Sequence, residues 1–473
     1  MEVFFHFLPE RENSSCLSKS IFAIFKNIVL TMTQISTKEP PQSFFSKLKF
    51  LGPGFILSAS IVGSGELIAT TVLGAKGGFI TFWVILVSCF VKVAIQLEFG
   101  KNAIITGKTL MFSFTNLPGP AFGKGNWAVW STFTLTLLKI LQLGGMLGGS
   151  AIAISMIFPM IPIYVWAPVL GILISFLIYK NYYSIIEKTA IIMVAGFTLL
   201  TLASVIAISF TPFGFSISDV MSGLRFELPS DLIFVAIGAF GITGVASDEI
   251  IAYTYWCLEK GYARYAGVND GSDEWKARAN GWIKVMQLDA VVAMVIYTIV
   301  TAAFYLLGAS ILYGREEYPE GNDLINSLAM IYTQSLGEKA KVAYLAGAFF
   351  VLYSSVFATL AYWSRLFPDI FGQLGFINSE SITDRKKWVA ILAWVFPVLW
   401  VIAFLFLKMP TFMILSGGVV GSVLLILVVY AAFIFRSRNR FLKIASGPVS
   451  EILFWLSAAS IATVSIYGIF KLF

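Results

Sequence analysis

The chain is dominated by a succession of uninterrupted apolar runs, each long enough to cross a bilayer. A spanning helix needs roughly 20 apolar residues. Such runs recur at about 50–75, 79–100, 127–158, 161–179, 189–211, 229–257, 282–309, 339–367, 388–408, 410–435 and 449–470. In lipid only helices and closed barrels satisfy their own backbone, and runs that are continuous rather than alternating are helices. A chain of 473 residues that is 58% hydrophobic and 12% charged has too little polar surface to be a soluble protein. The expectation is an all-α polytopic membrane protein with about 11 transmembrane helices.

The charged loops orient these spans. With the N-terminus inside, the inner loops hold Lys101, Lys108 and Lys124; Lys180 and Lys188; Arg264, Lys276 and Arg278; Arg385 to Lys387; and Arg436, Arg438, Arg440 and Lys443. The outer loops are short, or acidic as in REEYPEGND at 315–323. This positive-inside pattern predicts a cytoplasmic N-terminus and an external C-terminus. The net charge of +7 belongs to those loops and does not point to nucleic acid. Cys16, Cys89 and Cys257 are scattered, with no metal-like spacing and no disulfide framework. His6, near the N-terminus, is the single histidine, so no imidazole relays protons inside the membrane. Residues 1–31 lack the layout of a signal peptide, and Met32 is the expected natural start. The domain reading is a tail over 1–48 and one transporter domain over 49–473. Within it lie repeat one (49–211), repeat two (229–435) and an extra helix (449–470).

Two spans are interrupted at matching places. Span 1 carries IVGSGELIAT at 61–70, with two glycines, a serine and Glu66 at its centre. Span 6 carries GITGVASDE at 241–249. Five helices apart, the two run in opposite directions. Paired breaks of this kind point to an inverted-repeat transporter with its site at the bilayer midplane. Unwound backbone offers carbonyls to a cation and helix N-termini to an anion.

Each feature also has a plainer reading. Glycines let membrane helices pack closely, and Glu66, Ser247 or Asp248 could merely cap half-helices. Carboxylates at bilayer depth nonetheless cost a few kcal/mol, which favours a functional role. Other intramembrane polar groups are Lys92 in span 2, Lys139 and Gln142 in span 3, and Lys284 and Asp289 in span 7. The simplest role for Lys139 is to neutralise Glu66 or an acid of span 6; it could also change protonation during a cycle. Tyr353, Ser354 and Ser355 could line a pathway, although membrane serines usually bond their own backbone.

GPGFILSASIVGSGE at 52–66 and GSAIAI at 149–154 resemble the first and third helices of the natural resistance-associated macrophage protein (Nramp) family of divalent-metal transporters. The resemblance covers the chain from about residue 45 and implies a LeuT-type fold, two inverted five-helix repeats plus one helix. The departures are informative. Aligned on GPGF, the family's DPGN aspartate falls on Gly63, its proline on Ser64 and its asparagine on Glu66. The family's methionine falls on Val245 and its following histidine on Ser247. Two acidic positions of helix three, linked in the family to proton movement, fall on Leu143 and Met146.

The resemblance therefore implies a secondary transporter with an altered, all-oxygen site suited to Mn²⁺ or Mg²⁺, with Fe²⁺ also in view, and with the usual proton route absent. Glu66, Gly63, Ile242, Asp248 and Glu249 are the expected metal-site residues, the carbonyls of Gly63 and Ile242 being freed by unwinding. Ser64, Gly65, Thr243, Gly244, Val245 and Ser247 are expected along the substrate pathway, and Lys139, Gln142 and Asp289 as proton or charge-compensating groups. The competing expectation is an amino-acid transporter of the amino acid–polyamine–organocation superfamily, with the GSG break holding a substrate carboxylate. A channel or sensor that kept the fold ranks lower. No enzyme motif, cofactor, nucleic acid or obligate protein partner is expected beyond the metal ion and the lipid bilayer, and the location is a bacterial inner membrane.

Overall fold

The computed structural model describes residues 37–179, 183–314, 322–337, 340–378, 381–441 and 447–472. The proposed start at Met32 and most of the acidic 315–323 loop lie outside them. The chain is a multi-pass bundle of helices. Span 1 comprises α1 (Pro53–Ile61), a π-helical turn (Val62–Glu66) and α2 (Leu67–Gly77). α3 (Phe82–Thr106) follows, then a two-stranded ribbon in which β1 (Ala121–Phe122) pairs antiparallel with β2 (Gly125–Asn126). Span 3 is kinked at Lys139 into α4 (Trp127–Leu138) and α5 (Ile140–Ile157). α6 (Ile163–Tyr179) and α7 (Tyr183–Ile208) complete the first half.

The second half opens with the broken span 6, α8 (Ile233–Ile242) and α9 (Ser247–Lys260). α10 (Asp273–Ile311) and α11 (Asn322–Leu336) follow. The chain then runs through α12 (Ala340–Gln373), α13 (Ile382–Leu407), α14 (Pro410–Phe441) and α15 (Pro448–Leu472). Each expected span overlies one of these segments. Eight helices among the described residues are long and apolar enough to cross a membrane; Leu67–Gly77, Ile163–Tyr179 and Ala195–Ile208 are shorter apolar helices.

Packing follows from where the small residues fall. α8 lies against α14 so closely that a Cβ on Gly241 would collide with the Gly418 carbonyl, and one on Gly418 with the Gly238 carbonyl. α2 packs on α10, where Gly74 abuts the Tyr305 carbonyl and Gly308 the Thr71 carbonyl. α3 packs on α10 and α5 on α12. These glycines are thus packing devices, as in many membrane helices. The two spans with breaks are enclosed by these contacts: every residue from Val235 to Ser247 is buried.

Candidate functional site

Span 1 begins on Gly52 with Pro53 at the first helical position, where a missing N–H costs nothing. Its start is held by Asp289 of α10, which accepts from the amides of Gly52 (2.8 Å) and Gly54 (2.6 Å) and from the Tyr253 hydroxyl (3.1 Å). Asp289 therefore caps α1 from a neighbouring helix.

The break in span 1 differs from the expected unwound stretch. The backbone stays helical and widens into a π turn over Val62–Glu66, which also contains Ser64 and Gly65. Gly63 is required there by close approach, since a Cβ would collide with the Val351 carbonyl and the Ser355 hydroxyl of α12. Ser355 Oγ donates to the Ser60 carbonyl (2.8 Å), while Ser354 bonds within its own helix. The turn makes no opening that frees the Gly63 carbonyl by unwinding; its effect is to aim Glu66.

The break in span 6 is a true interruption. α8 stops at Ile242, Thr243 is extended (φ −65°, ψ 139°), and Gly244 takes φ +66°, a conformation suited to glycine. α9 restarts after Ala246, which has no side-chain cap; Ser247 and Asp248 do not cap the new helix, whereas the Glu249 carboxyl group reaches back to the Ala246 amide. Glu66 meets this interruption. It is fully buried; its Oε1 accepts from the Gly244 amide (2.6 Å), and its Oε2 accepts from the Thr301 hydroxyl of α10. Glu66 makes no side-chain cap to α2, its own helix.

Two buried lysines face the same interruption. Lys92 Nζ of α3 donates to the carbonyls of Phe240 (2.6 Å) and Thr243 (2.5 Å), and Ser88 donates to the same pair (3.0 and 2.9 Å). Lys139, at the kink of span 3, forms an ion pair with Asp248 Oδ2 at the start of α9. The acid of span 6 is thus its partner, and not Glu66.

Beside that ion pair lies a small cavity of about 20 Å³, room for roughly one water. Asp248, Glu249, Ser60 and Tyr362 line it, with Leu57 and Trp256 among its apolar walls. Asp248 Oδ1, Glu249 Oε2 and the Tyr362 hydroxyl are buried oxygens without a hydrogen-bond partner, as are Ser247 Oγ and Thr243 Oγ1 in the break itself. Val245 is fully buried.

The expected metal-site residues thus fall into two groups. Glu66 and the Ile242 turn lie on one side, Asp248 and Glu249 on the other. Among the described residues no three His, Cys, Asp or Glu side chains gather in a metal-holding cluster. Gln142 is buried against Gly417, with its Oε1 unpartnered. The donors around the break are carboxylate, hydroxyl and carbonyl oxygens, which suit hard cations. The carboxyl groups of Glu66, Asp248 and Glu249 and the amino groups of Lys92 and Lys139 surround the break.

Sequence inspection missed Thr301 and Tyr362 as partners of this region. It noted Lys92 without its partners. A threonine or tyrosine within an apolar run carries no local signal of a contact 235 residues away.

At the far end of α9 the chain is tied down again. Lys260 donates to the Leu51 carbonyl (3.0 Å) and Tyr262 to the Phe50 carbonyl (2.8 Å), joining the start of span 1 to the end of span 6. Arg365 Nε donates to Glu259 (2.6 Å), and Asp369 accepts from Tyr255 (2.9 Å) and pairs with Arg385 (3.0 Å).

The Natural resistance-associated macrophage protein-like (Nramp) family profile matches residues 54–471. A protein described as divalent metal cation transporter MntH, from Caldanaerobacter subterraneus subsp. tengcongensis, is 26% identical over 272 residues. That match covers 56% of this chain and 59% of that protein, less than two thirds of the relative's length. A second MntH, from Staphylococcus saprophyticus, is 25% identical over 61% of each chain. Among solved structures, a mutant of the Eremococcus coleocola manganese transporter superposes with a TM-score of 0.66 at 14% identity, covering 91% of this chain and 89% of that one. At that identity the likeness shows the fold, the LeuT-type arrangement of two inverted repeats. With its profile match running through nearly all the described helices, this chain belongs to the Nramp family.

Proposed function

We propose that the chain is a secondary transporter, rather than an enzyme, that carries a divalent metal cation of the Mn²⁺ or Mg²⁺ type across the membrane by alternating access. The observation that carries this reading is the meeting of the two interrupted spans, with Glu66 of span 1 on the amide of Gly244 in the break of span 6. A carboxylate that joins the two breaks registers a change in either. Cargo enters on the Glu249 side, where unpartnered oxygens of Glu249, Asp248 and Tyr362 face a small cavity. The MntH relatives and the manganese transporter support the class of cargo.

Lys139 has to release Asp248, or stay and lower the affinity, when a dication arrives. That exchange is the source of differential affinity between states, without which binding drives no motion. The proposed topology is eleven crossings with a cytoplasmic N-terminus and an external C-terminus in a bacterial inner membrane. The repeats are 49–211 and 229–435, with an extra helix at 449–470. The α3–α10 and α5–α12 pairings support this division, because exchanging the two halves maps each pair onto itself.

One observation favours an organic cargo. Buried ammonium groups at both ends of the break suit a substrate carboxylate, as in an amino-acid transporter. The π turn weighs against it, since it keeps the amides of span 1 inside the helix. Purified protein in liposomes, with a pH dye inside, separates the readings. Mn²⁺ or Mg²⁺ flux that is lost in Glu249→Gln supports the metal reading, and the dye reports whether protons follow. Amino-acid uptake without metal flux replaces it with the organic reading.

A further inference from the structure

We infer that Lys92 is a resident cation: its ammonium permanently fills a site, made by the end of α8, that would otherwise take a free monovalent cation. α8 is ten residues long and ends in the bilayer interior, where its last carbonyls carry partial negative charge and have no following turn to bond. No side chain of span 6 satisfies them. Lys92 reaches across from α3 and donates to two of them, Phe240 O at 2.6 Å and Thr243 O at 2.5 Å, and bonds from an ionised donor are the short, strong kind. Ser88, one turn earlier on α3, donates to the same two carbonyls. The Phe240 ring lies under the ammonium, 4.9 Å from Nζ to its centroid. Lys92 is fully buried, and a buried ammonium persists only where its surroundings are shaped to it.

The counter-charge arrives through the backbone. The Thr243 carbonyl that binds Lys92 belongs to the same peptide group as the Gly244 N–H that binds Glu66. Positive charge at the oxygen and negative charge at the N–H both deepen the polarity of that peptide. The result is a closed arrangement of ammonium, peptide and carboxylate that needs no further ion. Two carbonyls, a hydroxyl and an aromatic face, with a carboxylate one peptide away, would otherwise suit a weakly hydrated monovalent cation. Lys92 so placed holds the break whichever metal ion is carried.

Two measurements on detergent-purified full-length protein test it. Wild-type Tm is measured in NaCl, KCl and choline chloride at equal ionic strength, and no difference is expected. Lys92→Met removes the charge while keeping the bulk, and its Tm is expected to rise in NaCl or KCl relative to choline, saturably and by about 2 °C or more. If the variant folds poorly in choline, the folded yield across the three salts is the readout, and a higher yield in NaCl or KCl supports the inference. A saturable Na⁺ or K⁺ effect on the wild type overturns it, because the site would then not be filled. So does a variant whose Tm, or whose low yield, is the same in all three salts.

Discussion

Lys92 and Glu66 hold opposite ends of one peptide group, the ammonium at the Thr243 carbonyl and the carboxylate at the Gly244 N–H. Two consecutive spans, the first and the second, thereby fix the conformation of a distant one, the sixth, at its weakest point.

Glu66→Ala should lower stability by about 1–3 kcal/mol for each donor it orphans, the Gly244 amide and the Thr301 hydroxyl, because both are buried. Glu66→Gln keeps an acceptor and should recover a large part of that loss. Thermal unfolding of the two variants in detergent measures the difference; equal losses would show that the hydrogen bonds do not hold the break.

Lys139→Met leaves Asp248 without its counter-charge. Losing one partner of a buried pair costs about 3–5 kcal/mol, and the lower end applies here because the Asp248 side chain keeps 13% exposure. Adding Asp248→Asn should restore most of the stability. A double-mutant cycle with coupling below about 0.5 kcal/mol would show that the pair is not an energetic unit.

Gly241→Ala should destabilise by about 1–3 kcal/mol, since the new methyl meets the Gly418 carbonyl, which is backbone and cannot turn aside. Gly196→Ala is the control. It lies in α7 with open space around it, so alanine should be neutral or stabilising by up to about 1 kcal/mol. Equal shifts in chemical denaturation would remove the packing explanation.

Asp289→Ala and Arg365→Ala should behave differently although both remove a charge. Asp289 caps the buried start of α1 through two amides, so its loss should cost about 1–3 kcal/mol. Arg365 pairs with Glu259 where both are substantially exposed, so its loss should cost below about 1 kcal/mol and shrink further in high salt. Melting curves at two ionic strengths distinguish the cases.

The sequence made the spans legible because lipid imposes one solution on each apolar run. It also marked Glu66 and the GITGVAS segment, since glycines with a carboxylate are out of place at that depth. The form of each break was not legible. VGSGE and GITGVAS look alike as strings, yet one is a widened helical turn packed against α12 at Gly63 and the other a true gap. Asp289 looked like a compensating charge and is a cap, because its partners are backbone amides that carry no sequence signature. Thr301, Tyr362 and the partners of Lys92 were hidden for the same reason: each depends on which helix faces which.

The widened turn in span 1 is a phase shift. A π turn is an α-helix with one residue too many, and each α-helical residue turns the chain by about 100°. The C-terminal half of span 1 is therefore rotated against its N-terminal half by more than a quarter of a revolution relative to an unbroken helix. Deleting a single glycine from Val62–Glu66 would leave hydropathy, charge and span length nearly untouched, yet would swing the carboxylate off the Gly244 amide. In this protein the whereabouts of its most buried acid is thus a matter of counting: it depends on how many residues precede it in one turn, and the choice of residue alone does not determine it.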